Sequence, residues 1–109
     1  MILFLSGPIS GDIRKNRRAF HRAERAIRRR DRKSGKAFCA LHKLVILNPA
    51  RLPLGMEHEQ YIRICKSMID ECACIVQLPG WRDSTGAVTE ARYADSKGKL
   101  CVRLEELTR

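Results

Sequence analysis

Short, mainly apolar runs alternate along the chain with longer stretches in which apolar residues recur at helical spacing. The apolar runs have the length of strands and occupy residues 2–5, 44–47, 74–78 and 100–104. The helical spacing predicts amphipathic helices at about 13–30, 57–71 and 86–97. Because the strands lack polar alternation, we expect a three-layer α/β fold with a parallel sheet of about four strands.

Three loops follow predicted strands and therefore lie where such a sheet binds ligands. They comprise residues 6–11 (SGPISG), 48–50 (NPA) and 79–86 (PGWRDSTG). The first loop offers backbone amides just before a helix, which suits an anion, although Pro8 removes one donor. A tight turn without a ligand fits the same residues equally well.

Glu90 is the acidic residue most closely tied to this edge of the sheet. Counting about 100° per residue from Ala87 places it about 60° from the centre of the inward helical stripe, so it borders the core. A carboxylate beside a cleft can attack an electrophilic sugar carbon. A helix-dipole contact or a salt bridge is the structural alternative.

The length of 109 residues allows one hydrophobic core. We expect a single domain over residues 1–109, with a basic helix and extension at about 14–43. No apolar run approaches the ~20 residues of a membrane span, and the chain does not begin like a secretory leader. The sequence thus predicts a protein that does not enter membranes.

The cysteines indicate reduced thiols in a cytoplasm. They form an odd set without a CxxC pair: Cys39, Cys65, Cys72, Cys74 and Cys101. A zinc interpretation would recruit Cys39 with His42, or Cys72 with Cys74. Structural zinc takes two ligand pairs on turns that close round the metal, so buried thiols are favoured and no metal is expected.

Positive charge is concentrated in one segment. The chain has a formal net charge of +10, and the segment from Arg14 to Lys36 contains twelve Lys and Arg against two acidic residues. The charges of the remaining residues balance, so one face is predicted to meet a phosphate or a polyanion, with non-specific nucleic acid as partner. Solvated charge is the alternative, because the segment has one aromatic residue, Phe20, and no nucleic-acid motif.

Several motifs occur in a specific order along the chain. They are LSGPISG at 5–11, Phe20 and Ala23 in the first predicted helix, LNPA at 47–50, LPGW at 78–81, and S-x-G-A-x-x-E at 84–90, with Ala91 and Ala94 beyond. Together they resemble the nucleoside 2-deoxyribosyltransferase-like proteins, and most of all their small branch in phages and bacteria, the DUF4406 family. The resemblance covers nearly the whole chain except about residues 28–43.

The resemblance implies a flavodoxin-like, Rossmann-like fold that binds a 2′-deoxynucleoside 5′-monophosphate or a deoxynucleoside, with no cofactor and as a homodimer. Glu90 would attack C1′ of the sugar and expel the base. Ser84 would help to bind the 5′-phosphate. Trp81 would stack on the base or cap the core. The further residues expected at the substrate are Ser6, Gly7, Ser10, Gly11, Asn48, Asp83 and Gly86.

The sequence departs from the family pattern at positions that matter for catalysis. Cys65 stands where an aspartate that assists departure of the base is expected, and Phe4 replaces a tyrosine near the nucleophile. Ala73 replaces an aspartate with a structural role. Cys65 falls on the inward stripe of its helix, which suits a core position. The candidates to replace the missing acid are Asp12, Asp70 and Asp83, and Arg14, Arg17 or Arg18 is available for a phosphate.

Three hypotheses therefore stand beside one another. The first is cleavage or transfer at an N-glycosidic bond through Glu90. The second is a nucleotide sensor or binding module without catalysis, because proton donation worth roughly 10²–10⁴-fold is missing at Cys65. The third is polyanion binding through the basic helix.

Overall fold

Strands and helices alternate along the residues that the computed structural model describes, 1–33 and 43–109. The strands are β1 Ile2–Ser6, β2 Val45–Leu47, β3 Cys74–Gln77 and β4 Leu100–Arg103. The helices are α1 Ile13–Lys33, α2 His58–Glu71, α3 Thr85–Ser96 and the short α4 Leu104–Leu107. Single 3₁₀ turns follow β2 at Pro49–Arg51 and precede α3 at Trp81–Asp83.

The four strands form one parallel sheet in the order β2-β1-β3-β4. Phe4 of β1 lies opposite Leu47 on one side and Ile75 on the other, and Ile75 lies opposite Cys101 of β4. Phe4 and Ile75 are fully buried. Helices cover both faces of the sheet, so the predicted three-layer α/β fold is confirmed.

The alternation of side chains along β1 and β3 divides the core between the two faces. Leu5 and Val76 pack with Phe20 and Ile27 of α1, and the leucines of α4 join this side. On the other face the buried residues are Phe4, Ile75, Ile69 of α2 and Ala94 of α3. The basic helix and the helix of Glu90 therefore lie on opposite faces.

The end of the chain differs from the prediction of a short polar tail. Leu104 and Leu107 are three positions apart, so one turn of helix places both against the α1 side of the core. The same turn ends β4 one residue earlier than predicted, at Arg103. Helix α1 also continues three residues beyond its predicted end, to Lys33.

Much of the predicted extension lies at 34–42, outside the described residues, as do Cys39 and His42 of the disfavoured zinc interpretation. Cys72 and Cys74 pack into core clusters on different faces of the sheet, which does not suit a shared metal. In the described ranges, no three His, Cys, Asp or Glu side chains are grouped so as to hold a metal ion. None of the described helices has the length and apolar character that crossing a membrane requires.

Candidate functional site

Ser6 and Glu90 meet at the carboxyl end of β1. Successive residues of a strand face opposite sides, so Ser6 shares the face of Phe4, which is covered by α2 and α3. Glu90 lies one helical turn before Ala94, which packs into the same core cluster as Phe4. The Ser6 hydroxyl therefore reaches the carboxylate and donates a hydrogen bond of 2.7 Å to Glu90 Oε1.

The thiol of Cys65 supplies a second hydrogen bond to this carboxylate. Cys65 lies one turn before the fully buried Ile69, so α2 directs it to the face that α3 also covers. Burial, together with the neighbouring Glu90 carboxylate, raises the pKa of the Cys65 thiol to about 12. The thiol therefore stays protonated near neutral pH and acts as a donor.

The Glu90 side chain is half-buried, and its carboxyl group is largely removed from water. Burial raises its pKa to about 7, although the hydrogen bonds from Ser6 and Cys65 oppose this rise. Among residues 1–33 and 43–109, no Lys, Arg or His side chain forms an ion pair with it. A carboxyl group that titrates near neutral pH is available both as a proton carrier and as a nucleophile, and such groups concentrate at functional sites.

Glu24 is a buried acid whose charge is balanced by ion pairs, in contrast to Glu90. It is 7% exposed and forms ion pairs of 3.2 Å with both Arg28 and Arg51. Asn48 Nδ2 donates a further hydrogen bond of 3.0 Å. Burial favours the neutral acid, but the hydrogen bonds from Arg51, Asn48 and Arg28 outweigh it and hold the pKa of Glu24 below its usual value. Glu90 has no cationic partner among the described residues, so the hydrogen bonds from Ser6 and Cys65 offset only part of the effect of burial on its pKa.

A cleft of about 780 Å³ opens beside Glu90. Its volume lies within the range of about 300–1,000 Å³ that is usual for small-molecule sites. The predicted site residues that line it are Gly7, Ser10, Asp83, Ser84, Gly86 and Glu90. Ser6 is buried beneath the residues that line the cleft and is connected to the cleft through its hydrogen bond to Glu90.

Local geometry explains two of these residues. Ser84 begins α3 as its cap, because its Oγ accepts a hydrogen bond of 3.2 Å from the Ala87 amide. At Gly7 the loop after β1 runs against Leu78, and a Cβ there would lie only 2.8 Å from Leu78 Cβ. Glycine is thus required for the two loops to run side by side.

Three predicted site residues do not line the cleft. Trp81 lines an adjoining depression of about 490 Å³, which shares Gly80 and Asp83 with the cleft, and the Arg82 guanidinium lies 5.5 Å from the Trp81 ring centroid. Asn48 is buried, and its side chain accepts a hydrogen bond of 2.9 Å from the Ala50 amide and donates to Glu24. Gly11 is exposed in the turn before α1 and does not line the cleft.

Other cleft residues were missed by the sequence analysis. His58, Tyr61 and Lys66 of α2 and Tyr93 of α3 line it. Tyr93 lies three residues after Glu90, a helical spacing that could have identified it. Of the three arginines that were available for a phosphate, Arg17 lines the cleft, whereas Arg14 and Arg18 do not.

A family model matches the chain over residues 1–103, and its description is "Domain of unknown function (DUF4406)". A search of curated proteins and a search of solved structures each found no significant match. The family match covers both the first loop, with Ser6 and Gly7, and the helix that carries Glu90. Because it extends over nearly the full length, the chain belongs to the DUF4406 family.

Proposed function

We propose that the cleft binds a 2′-deoxynucleoside 5′-monophosphate, or the deoxynucleoside, and that Glu90 cleaves or transfers at its N-glycosidic bond. The observation that supports this most directly is a half-buried carboxyl group that faces a cleft of nucleotide size and forms no ion pair with any residue of 1–33 or 43–109. The proposal relates the chain to the nucleoside 2-deoxyribosyltransferase-like proteins that its motifs resemble.

In the proposed reaction, the ionised Glu90 carboxylate forms a bond to C1′ while the C1′–N bond breaks. The base leaves with the bonding electron pair and takes up a proton. Water then attacks C1′, releases a proton to the solvent and restores the free carboxylate. A second base in place of water gives transfer instead of hydrolysis.

Ser6 and Cys65 are positioning residues in this reaction. Their hydrogen bonds fix the carboxyl group at the end of β1 and favour its ionised form. They lower the pKa of Glu90 against the effect of burial, so that a substantial fraction of the group is ionised near neutral pH. The nucleophile is therefore held in place before substrate arrives.

Asp83 is the acid that we assign to protonation of the leaving base. It lines the cleft, whereas Asp12 and Asp70 do not. Asp12 accepts a hydrogen bond of 3.1 Å from the Lys15 amide, and Asp70 accepts one of 2.6 Å from the Tyr93 hydroxyl. For the 5′-phosphate, we assign Arg17 and the start of α3 at Ser84 and Gly86, where helix amides and the helix dipole favour an anion.

A second candidate function, nucleotide binding without turnover, is supported by Cys65. With a pKa of about 12, its thiol is a poor proton donor to a leaving base. The thiol also occupies the position where the family pattern has an acid. This alternative keeps the same cleft and the same ligand class, and it differs only in the outcome for the glycosidic bond.

The deciding experiment incubates the purified chain with each deoxynucleoside monophosphate and each deoxynucleoside and measures free base by chromatography. Glu90→Gln should abolish release, while Glu71→Gln, an exposed substitution of the same kind on α2, should leave it unchanged. Release that survives Glu90→Gln would remove Glu90 from the mechanism.

Calorimetry with the same ligands separates the two candidate functions. Binding without base release supports the sensor, and turnover gained by Cys65→Asp would identify the missing acid. Absence of binding to every nucleoside and nucleotide would reject both.

We also propose that the chain is a homodimer, as its resemblance implies. Four exposed apolar side chains surround the cleft mouth and would gain from being covered: Ile9, Ile13, Leu54 and Ile62. Light scattering during gel filtration measures the mass directly, and a monomer at all concentrations would contradict this assembly.

A further inference from the structure

We propose that α1 carries a second, separate binding surface, which takes the sugar-phosphate backbone of a nucleic-acid duplex without reading its sequence. The surface is a row of six exposed arginines, here named the arginine stripe: Arg14, Arg18, Arg22, Arg25, Arg29 and Arg32. It does not depend on the proposed chemistry at Glu90.

The arginine stripe is straight and faces away from the protein. At about 100° per residue, its six members fall within an arc of about 80°, and they extend over about 27 Å along the helix axis. The buried residues of α1 that pack on the sheet, Phe20, Ala23 and Ile27, lie about 180° from the centre of this arc. The guanidinium groups are therefore presented to solvent along the whole helix.

The stripe carries more positive charge than the acidic residues of α1, Glu24 and Asp31, can balance. In the described ranges, Arg28–Glu24, Arg51–Glu24 and Arg103–Glu106 form ion pairs, and none of these three includes an arginine of the stripe. Like charges three and four residues apart repel one another and destabilise a helix. A polyanion that supplies phosphates along the row relieves this repulsion, because each arginine can bind a phosphate through two parallel hydrogen bonds.

The composition of the stripe favours a duplex backbone over other anionic partners. No aromatic side chain lies in the arc, so there is no platform for the unpaired bases of a single strand. The apolar side of α1 is buried against the sheet and is not free to enter a membrane surface. The stripe also lacks the apolar centre that protein interfaces usually have.

The test measures binding of the full chain to fluorescent 20-base-pair duplexes of two unrelated sequences, as DNA and as RNA, across a range of salt concentrations. We expect affinity that falls steeply with salt and differs little between the two sequences. Replacing Arg18, Arg22 and Arg25 with Gln should weaken binding at least about tenfold and reduce the salt slope by about 3.

A matched variant replaces the exposed Arg63, Arg92 and Arg109 with Gln, which removes the same charge from other elements. It should change the affinity less than about twofold. Gln and Arg have similar helix propensity, and equal circular dichroism and melting temperature will show that both variants are folded. The DNA and RNA arms identify which duplex is preferred.

Equal losses in the two variants would overturn the proposal. So would tighter binding to single-stranded DNA or to phosphatidylserine vesicles than to the duplexes, or a preference of more than about tenfold for one duplex sequence. Glu90→Gln should leave duplex binding unchanged. Duplex binding therefore tests the arginine stripe, and base release tests the proposed function independently.

Discussion

The Ser6 hydroxyl donates a 2.7 Å hydrogen bond to Glu90 Oε1 across a separation of 84 residues, joining the end of β1 to the second turn of α3. This bond stabilises the ionised carboxylate, while burial opposes ionisation more strongly. The net result is an acid whose protonation changes near neutral pH. Stability and chemistry should both depend on it.

Folding stability should decrease between about pH 4.5 and 7 because of Glu90. Its pKa is raised in the folded chain from 4.5 to about 7, so the unfolded chain releases this proton first as the pH rises. Glu90→Gln removes that dependence. We expect it to match the wild type below about pH 4.5 and to be more stable above about pH 7, by roughly 3 kcal/mol.

Urea unfolding at a series of pH values measures this difference. The exposed substitution Glu71→Gln provides the comparison, because it should run parallel to the wild type. A constant difference between wild type and Glu90→Gln from pH 4.5 to 7 would show that the carboxyl group is not held as described.

The rate of base release should follow the ionisation of the same group. Because the carboxylate is the nucleophile and Asp83 supplies a proton, the pH profile of kcat/KM should have two limbs, one of which reports Glu90 with a pKa of about 7. Ser6→Ala removes a hydrogen bond that favours ionisation, so its profile should move to higher pH. Ser67→Ala, at an exposed site on α2, should leave the profile in place.

Cys65 should react slowly with thiol reagents. At pH 8 its pKa of about 12, against an ordinary 9.0, implies roughly 10³-fold less thiolate than in a free thiol. Iodoacetamide labelling followed by peptide mass spectrometry gives its rate beside that of N-acetylcysteine. Glu90→Gln removes the neighbouring negative charge and should accelerate labelling, whereas labelling of wild-type Cys65 at the free-thiol rate would contradict its half-buried position beside Glu90.

Glu24→Gln should destabilise the chain by roughly 1–3 kcal/mol, because Arg28 and Arg51 both lose their anionic partner. Since the pKa of Glu24 is lowered by folding, its contribution is present above pH 4.5 and is lost as the pH falls further. The control is Glu106→Gln in the exposed pair with Arg103, where no measurable change is expected. Equal effects of the two substitutions, measured by urea unfolding, would refute a special role for Glu24.

The glycines at the cleft should respond in opposite ways to alanine. Gly7→Ala forces a Cβ to within 2.8 Å of Leu78 Cβ, and we expect a loss of about 1–3 kcal/mol. Gly86→Ala meets only Ser84 Oγ at 4.0 Å in the first turn of α3, so a gain of up to about 1 kcal/mol is expected. Thermal unfolding measures both, and a Gly7→Ala variant as stable as the wild type would disprove the close approach of the loops.

The sequence predicts the fold well because each strand is apolar on both faces. Phe4 and Ile75 are buried on one side of the sheet and Leu5 and Val76 on the other, which a parallel sheet between helices requires. The position of Glu90 at the border of the core can also be predicted from local sequence, because it follows from its helical spacing to Ala87. Helix α4 was missed because one turn of helix leaves only two apolar positions to detect.

Some predicted site residues lie outside the cleft because of contacts with distant parts of the chain, which a local sequence pattern does not show. Asn48 follows a strand, as a ligand-binding residue would, but its amide is used to cap a turn and to bind Glu24. Trp81 follows a glycine at a strand end, yet the 3₁₀ turn that begins there places it at a different depression. The burial of Glu24 depends on Arg51, which lies on another element, so its charge pattern alone resembles an ordinary exposed helix position.

The order of the strands also determines which part of the cleft can adjust to a ligand. Because Ser6 is paired with Gln77 of β3 and its carbonyl accepts a hydrogen bond from the Leu78 amide, Ser6 cannot shift without disturbing this paired backbone. Residues 52–57 pass the other side of the cleft outside helix and strand, with mostly exposed side chains. We therefore expect residues 52–57 to adjust to bases of different size, while the reacting end of the sugar lies against the rigid end of β1.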